Sequence, residues 1–174
     1  MKKLFTIVVG GLLMWSCGNS EKQQPKTFEN AEEEFAATLT EADTTKVLAL
    51  ATEVLDSIRS GNVEWAVESL CEVDSTGQVM PLAPDARERV ARRFRTFPVV
   101  DYELDYYTFS VPMLNDLKYR TYFRERLEGE TGGPAMAVMF NPVKVDGQWY
   151  LCLKEAGQPA KDAANAIEPG TIIE

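Results

Sequence analysis

Few residues in this 174-residue chain have the side-chain types that carry chemistry. The sequence has no histidine, which is the usual proton shuttle near neutral pH, and only three cysteines: Cys17, Cys71 and Cys152. Because a structural zinc site takes four ligands, Cys71 and Cys152 alone cannot complete one. Neither a G-x-S-x-G nucleophile turn nor a glycine-rich phosphate loop occurs in the sequence. We therefore predict no catalytic residues, no metal site and no cofactor.

Cys17 follows a segment typical of export signals. Two lysines precede an apolar run, Leu4 to Met14, which is much shorter than the roughly 20 residues needed to span a bilayer. Residues 14–17 read M-W-S-C and resemble the lipobox of bacterial lipoproteins, although the tryptophan stands where that motif has a small residue. The resemblance implies cleavage before Cys17, a diacylglycerol on its thiol, and a lipid anchor in the cell envelope of a Gram-negative-type bacterium, on the periplasmic or surface side. The alternative is an ordinary secretory signal.

Composition divides the rest of the chain into a tether, one domain and a tail. The tether is rich in Glu, Gln, Lys, Asn and Thr, although its apolar residues between Phe28 and Leu39 are spaced as in a short helix. The domain holds enough apolar and aromatic residues to form one core. We predict a signal peptide at 1–16, a polar tether at 17–43, a domain at 44–155 and a C-terminal tail at 156–174.

The charge balance excludes one class of partner. The chain has 18 basic and 27 acidic residues, and removal of the signal peptide with its two lysines leaves a net charge of −11. A surface of this sign repels the phosphate backbone of nucleic acids. We therefore predict that nucleic acid is not a partner. The predicted lipid on Cys17 makes a membrane the expected partner.

Three amphipathic helices are predicted in the first half of the domain. The first covers 44–58, where apolar residues recur at helical spacing. A Gly-Asn turn separates it from the second, which covers 63–73 and includes Cys71. Pro84 starts the third, over 86–96. Its five arginines are interpreted as a solvated face that pairs with carboxylates, and an anion site is the alternative.

Four strands are predicted in the second half of the domain. Apolar residues alternate with acidic ones from Val100 to Tyr106 and with basic ones from Lys118 to Arg126, so these two strands can pair with opposite charges facing each other. The last two strands form a hairpin about Asp146-Gly147, a dipeptide typical of type I′ turns. With Val145 opposite Gln148, the core face of this hairpin carries Met136, Val138, Phe140, Trp149, Leu151 and Leu153.

The order of these elements resembles the nuclear transport factor 2-like family, an α+β fold in which a curved antiparallel sheet wraps helices into a cone. The resemblance covers 44–155 and rests on about three helices, about four strands and the closing pattern V-D-G-Q-W-Y-L at 145–151. It implies a cavity at the open end of the cone. Enzymes of this family use histidines, an aspartate facing a tyrosine, or an Asp-Arg-Asp relay, none of which this sequence singles out.

Three functions follow from the resemblance and stay open as alternatives. The first is a membrane-tethered binding module whose cavity takes a small apolar ligand or a peptide segment. The second is a structural or assembly protein that uses the outer face of the sheet, and the third is an enzyme of the isomerase or hydrolase type. The aromatic residues that would line the cavity, unless they fill the core, are Trp65, Phe94, Tyr102, Tyr106, Phe123, Phe140 and Trp149.

The outer face of the last hairpin is a predicted interface, because its apolar patch would be larger than a monomer usually exposes. Its residues are Met139, Val143, Val145 and Tyr150. The cover can be the 28–39 segment, the C-terminal tail, or a second copy of the chain in a homodimer. Cys152 lies on this same face, whereas the helix with Cys71 is expected on the other, so we predict no disulfide between them.

Overall fold

The structure is a computed structural model, and it describes residues 28–74, 76–125, 127–129 and 133–154. The predicted signal peptide at 1–16, the predicted lipidation site Cys17 and the predicted tail at 156–174 lie outside the described residues, as does the first part of the predicted tether.

Helices packed against one mostly antiparallel sheet make up the described chain, which confirms the predicted α+β class. The helices are α1 (Phe28–Ala36), α2 (Glu41–Arg59), α3 (Val63–Glu68) and α4 (Pro84–Thr96). The strands are β1 (Cys71–Val73), β2 (Val79–Pro81), β3 (Asp101–Val111), β4 (Leu114–Tyr122), β5 (Ala135–Val145) and β6 (Gln148–Leu153). The described sheet thus has six strands rather than the four predicted, because three-residue strands such as β1 and β2 leave no alternating pattern to recognise.

The sheet order is β2-β1-β6-β5-β4-β3. Strands β3 to β6 are each joined to the next in sequence and pair antiparallel. The short β1–β2 hairpin extends the other edge of the sheet, where β1 runs parallel to β6. The edges of the sheet are therefore β2 and β3.

Helix α2 begins at a capping box formed by Thr40 and Asp43. Thr40 Oγ1 accepts a hydrogen bond from the Asp43 backbone N–H, and the Asp43 carboxylate accepts one from the Thr40 N–H. These two bonds satisfy donors that the start of a helix leaves unpaired. The helix ends where Gly61 adopts a φ of 86°, a left-handed conformation that favours glycine. One turn of helix thus precedes the predicted start at residue 44.

Helix α3 is shorter than predicted, and the assignment of Cys71 to a helix is wrong. The helix ends at Glu68, and Cys71 begins strand β1 instead. Cys71 lies directly opposite Cys152 of β6, and Val73 opposite Val79 of β2. The apolar residues after Leu70 continue the helical spacing in sequence, but pairing with β2 and β6 overrides this weak local preference.

The register predicted for the last hairpin is confirmed. Val145 pairs with Gln148, and the turn residues Asp146 and Gly147 have φ values of 50° and 78°. All six residues predicted on the core face lie in the core or pack against it. The pairing of Glu103 on β3 with Arg120 on β4 is likewise as predicted.

A bulge in β3 overturns the predicted alternation of that strand. Leu104 pairs with Tyr119 and Tyr106 pairs with Lys118, so Asp105 is an extra residue between them. Because one extra residue reverses the phase of every later side chain, Tyr107 faces the core and Tyr106 faces outward. The placement of Tyr106 on the same face as Tyr102 is therefore wrong.

The four helices all contribute to one core on a single face of the sheet. Phe35 of α1 is buried there, with its ring centroid 6.3 Å from that of Trp149, and Phe109 approaches the same indole at 5.4 Å. Helix α1 therefore belongs to the fold, although it falls within the predicted tether. It covers the core face and not the outer face of the hairpin.

Candidate functional site

Most of the aromatic residues predicted to line a cavity fill the core instead. Phe94, Phe140 and Trp149 are buried. Tyr102 packs edge-on against Tyr119 with ring centroids 5.8 Å apart, and Tyr119 in turn lies 6.4 Å from Phe140. Ring-to-ring contacts of this kind replace the open space that a ligand would need.

The remaining three predicted lining residues lie at separate places. Trp65 is exposed on α3, and Tyr106 is on the outer face of the sheet because of the bulge. Phe123 follows β4 and contacts Phe97, which follows α4. The structure thus does not bring the seven aromatic residues around one site.

The four residues predicted as an interface lie on the outer face, but they are not all accessible. Val143 is 0% exposed, while Met139, Val145 and Tyr150 are half-buried. Cys152, which shares this face, is also buried. Within a single chain the expected apolar patch is already largely covered.

A row of charged side chains crosses the outer face of β3 and β4. Asp105 lies 2.8 Å from Lys118 and 2.8 Å from Arg120, and the Lys118 ammonium stands 5.4 Å above the Tyr106 ring. Burial alone would raise the pKa of Asp105, but the two cations outweigh it and lower this pKa. Burial, together with the charge of Asp116, raises the pKa of Tyr106.

Two open clefts lie on the helical side of the described chain. The larger, of about 830 Å³, runs along α2. At its edge Tyr102 donates a hydrogen bond to Asp56 (2.8 Å), and Arg59 pairs with the same carboxylate at 2.9 Å. Burial and the Asp56 carboxylate raise the pKa of Tyr102 to about 12, so this phenol stays protonated. The smaller cleft, of about 210 Å³, lies between α3 and α4.

Three of the five arginines of α4 have partners within the chain, as the interpretation of a solvated face implied, whereas the buried Nε of Arg87 has no hydrogen-bond partner among the described residues. Arg89 pairs with Asp85 at 2.8 Å, and Arg95 pairs with Glu64 of α3. Arg93 donates to the carbonyl oxygen of Ala137 at 3.1 Å and so links α4 to β5. Because Arg89, Arg93 and Arg95 already have partners within the chain, they are not available to bind an anion.

An exposed apolar cluster, which we call the apolar corner, consists of Phe97, Val100 and Phe123. Phe97 is 47% exposed and Val100 39% exposed, and the Phe97 and Phe123 rings lie 5.5 Å apart. Val100 joins them because its N–H donates to the carbonyl of Tyr122, next to Phe123. Sequence analysis did not reveal this corner, because α4 ends at Thr96 and Phe97 departs from helical geometry, with φ −122° and ψ 80°.

Two further features are absent from the described ranges. These ranges contain no group of three or more Cys, Asp or Glu side chains placed to hold a metal ion. No helix within them is long and apolar enough to cross a bilayer.

Comparison of the chain with protein-family models, with curated proteins and with solved structures gives no match. The candidate site therefore depends on the chemistry of this chain's own residues.

Proposed function

We propose that the chain is a lipid-anchored binding module of the bacterial cell envelope, and that it holds a protein segment at the apolar corner. The observation that carries this proposal is the contact between the exposed Phe97 ring and the half-buried Phe123 ring. Aromatic side chains at a surface are the usual anchors of protein interfaces, because they bury much area at a small loss of conformational entropy.

The anchor part of the proposal rests on the sequence around Cys17. An apolar run of signal-peptide length leads to the lipobox-like residues 14–17. Helix α1 begins at Phe28, and eleven residues of fully extended chain reach at most about 40 Å. The anchored domain would thus work close to the membrane surface.

Burial of the interior aromatic residues supports a surface site over a cavity. A ligand in the predicted cavity would have to displace Phe140 or Trp149, and removal of a buried aromatic ring costs about 3–5 kcal/mol. At the apolar corner no such displacement is needed, because Phe97 and Val100 are exposed in the folded chain.

The surroundings of the corner favour one kind of partner. The last turn of α4, which leads into Phe97, carries the basic residues Arg93 and Arg95. Both are already held within the chain, Arg95 by Glu64 and Arg93 by the carbonyl of Ala137. The corner therefore offers mainly apolar contact, and a partner segment with apolar side chains fits such a surface.

We further propose that the domain has the nuclear transport factor 2-like fold. Support comes from the order of elements, in which helices precede a short hairpin, a further helix and four long strands. The packing of all four helices on one sheet face agrees with it.

The proposal can be tested by photo-crosslinking in intact cells. A photoreactive amino acid replaces Phe97 in one variant and Met80 in a control variant. Met80 is 41% exposed, similar to Phe97, but it lies on β2 at the opposite edge of the sheet from β3. We expect a covalent adduct of one discrete mass at position 97, none at position 80, and loss of the adduct when Val100→Asp is added.

Two results would overturn the proposed site. Adducts of equal yield at positions 97 and 80 would mean that exposure alone determines crosslinking. An adduct of twice the chain mass would mean that the corner contacts a second copy of the chain and not another protein.

A further inference from the structure

Cys71 and Cys152 occupy a special position in the sheet. They face each other across β1 and β6, and they are the one residue pair in register between these two strands. The β1–β2 hairpin is therefore joined to the main sheet by a very short ladder.

The geometry of this pair suits a covalent bond. Neighbouring strands lie about 4.8 Å apart, and disulfides span Cα separations of about 4.4–6.8 Å. Residues directly opposite each other in a parallel pair point to the same face of the sheet. Cys152 lies on the outer face, opposite to Leu151 and Leu153, so the Cys71 side chain points there as well.

The sequence predicted no disulfide because it placed Cys71 on a helix, whereas the structure places the two free thiols opposite each other on neighbouring strands. We propose that Cys71 and Cys152 form a disulfide that fixes the β1–β2 hairpin to β6. In the reaction the two thiols lose two protons and two electrons, and a protein disulfide of the thiol-oxidase class is reduced to its dithiol. Attack by Cys71, which is partly exposed, gives a mixed disulfide with the oxidase. The thiolate of the neighbouring Cys152 then displaces the oxidase thiolate and closes the bond.

The surroundings of the pair indicate a structural bond and not an exchanging redox centre. Cys152 is buried, and burial raises the pKa of its thiol to about 12, with the nearby Cys71 adding to the shift. Burial also raises the pKa of Cys71. Thiols of this kind react slowly without an oxidase, and a buried bond is poorly accessible to small reductants.

The bond would close a loop that contains α4 and strands β1 to β5. Crosslinks that close long loops restrict the unfolded chain most, so the stabilisation should be near the upper part of the usual range. The proposal goes beyond the proposed binding function. In cells it needs an oxidising compartment, which export of the chain would provide.

Peptide mapping without reductant tests the bond directly. Trypsin places Cys71 in the peptide 60–87 and Cys152 in the peptide 145–154. The full chain, with Cys17→Ala to remove the third thiol, is equilibrated in a mixture of oxidised and reduced glutathione. We expect the two peptides to be recovered as one crosslinked species, which is lost in Cys71→Ser and in Cys152→Ala.

A stability measurement on the same samples provides an independent readout. The oxidised chain should melt about 10 °C higher than the chain that has been unfolded, reduced with dithiothreitol and refolded in its presence. In each single cysteine variant this difference should disappear, even where the substitution itself lowers the melting temperature.

The proposal is overturned if alkylation finds both thiols free after equilibration with glutathione, or if the cysteines bridge only between molecules. The same mapping of wild-type protein from cells separates the two proposals. A crosslink in glutathione but free thiols in cells would uphold the geometry of the pair and count against export.

Discussion

At the scale of single residues, the Asp43 carboxylate joins the start of α2 to the last hairpin. One oxygen accepts the Trp149 indole N–H at 2.7 Å and lies 2.8 Å from Lys144 Nζ. The other accepts the backbone N–H and the hydroxyl of Thr40. Burial alone would raise the pKa of Asp43, but these partners outweigh it and hold the pKa well below its usual value.

We expect Asp43→Asn to lower the free energy of unfolding by about 2 kcal/mol at neutral pH, because a neutral amide cannot replace the charge that Lys144 faces. Urea denaturation measures the change. Asp85→Asn is the matched control, since Asp85 makes an exposed pair with Arg89 one turn away. That variant should unfold like the wild type. Equal losses in both variants would contradict the role given to Asp43.

The stability difference between wild type and Asp43→Asn should change with pH in a definite direction. The folded pKa of Asp43 lies below the unfolded value of 3.8, so its contribution is complete above that value and is lost as the pH falls through the folded pKa. The stability difference between wild type and Asp43→Asn should therefore shrink as the solution is acidified below 3.8. A difference that stays constant down to about pH 2 would be incompatible with this linkage.

Lys154 and Asp116 form a salt bridge that is buried on the outer face of the sheet. Lys154→Met would leave the Asp116 charge buried without its ammonium, and we expect a loss of about 3 kcal/mol. Adding Asp116→Asn should restore part of this stability, because it removes the buried charge that has lost its ammonium partner. Denaturation of the two single variants and the double variant measures the coupling, and strictly additive losses would refute it.

At the scale of elements, the bulge at Asp105 sets the phase of β3. It brings Tyr107 and Phe109 to the core, where Phe109 contacts Trp149. Deletion of Asp105 would remove the extra residue and keep this phase, so the chain should fold with only a modest loss of stability. Deletion of Thr108 would instead turn Phe109 to the outer face.

Circular dichroism and thermal denaturation of the two deletion variants compare these outcomes. We expect the Asp105 deletion to keep a cooperative transition and the Thr108 deletion to lose several times more stability. If both deletions were equally harmful, the bulge would not be the determinant of phase.

What the sequence could predict at this scale depended on the strength of local signals. The Asp146-Gly147 turn needs positive φ at two residues, and this requirement alone determined the register of the last hairpin. Strand β1 has no such signal, because Cys71 and Val73 continue the helical spacing of α3. The β3 bulge arises from the register of β3 against β4. The residue pattern of one strand does not reveal its register against a neighbour, so the sequence could not predict the bulge.

At the scale of the whole molecule, helices cover one face of the sheet and the opposite face is partly buried within a single chain. The sequence supplied the aromatic residues of the core but could not separate a lined cavity from a filled one, because either arrangement needs the same apolar residues on the same faces. Burial of Phe140 and Trp149 shows that these two rings fill the core. Sequence analysis missed the apolar corner because its three residues lie next to the ends of three different elements, α4, β3 and β4.

Burial of Val143 also bears on the oligomeric state. A chain that begins at Gly18 should be a monomer in light scattering, because the outer patch is already largely covered. Tyr150→Glu should then leave the molar mass unchanged. A dimer that dissociates on this substitution would support the homodimer, one of the three covers that the sequence left open, and contradict the monomer expected here.

If the chain works as a lipid-anchored module, as proposed, mass spectrometry of the mature protein should reveal the anchor. Protein extracted from the membrane fraction should begin at Cys17 and carry the added mass of a diacylglycerol, and Cys17→Ser should move the protein out of that fraction. An unmodified Cys17, or a mature chain that begins at another residue, would contradict the account.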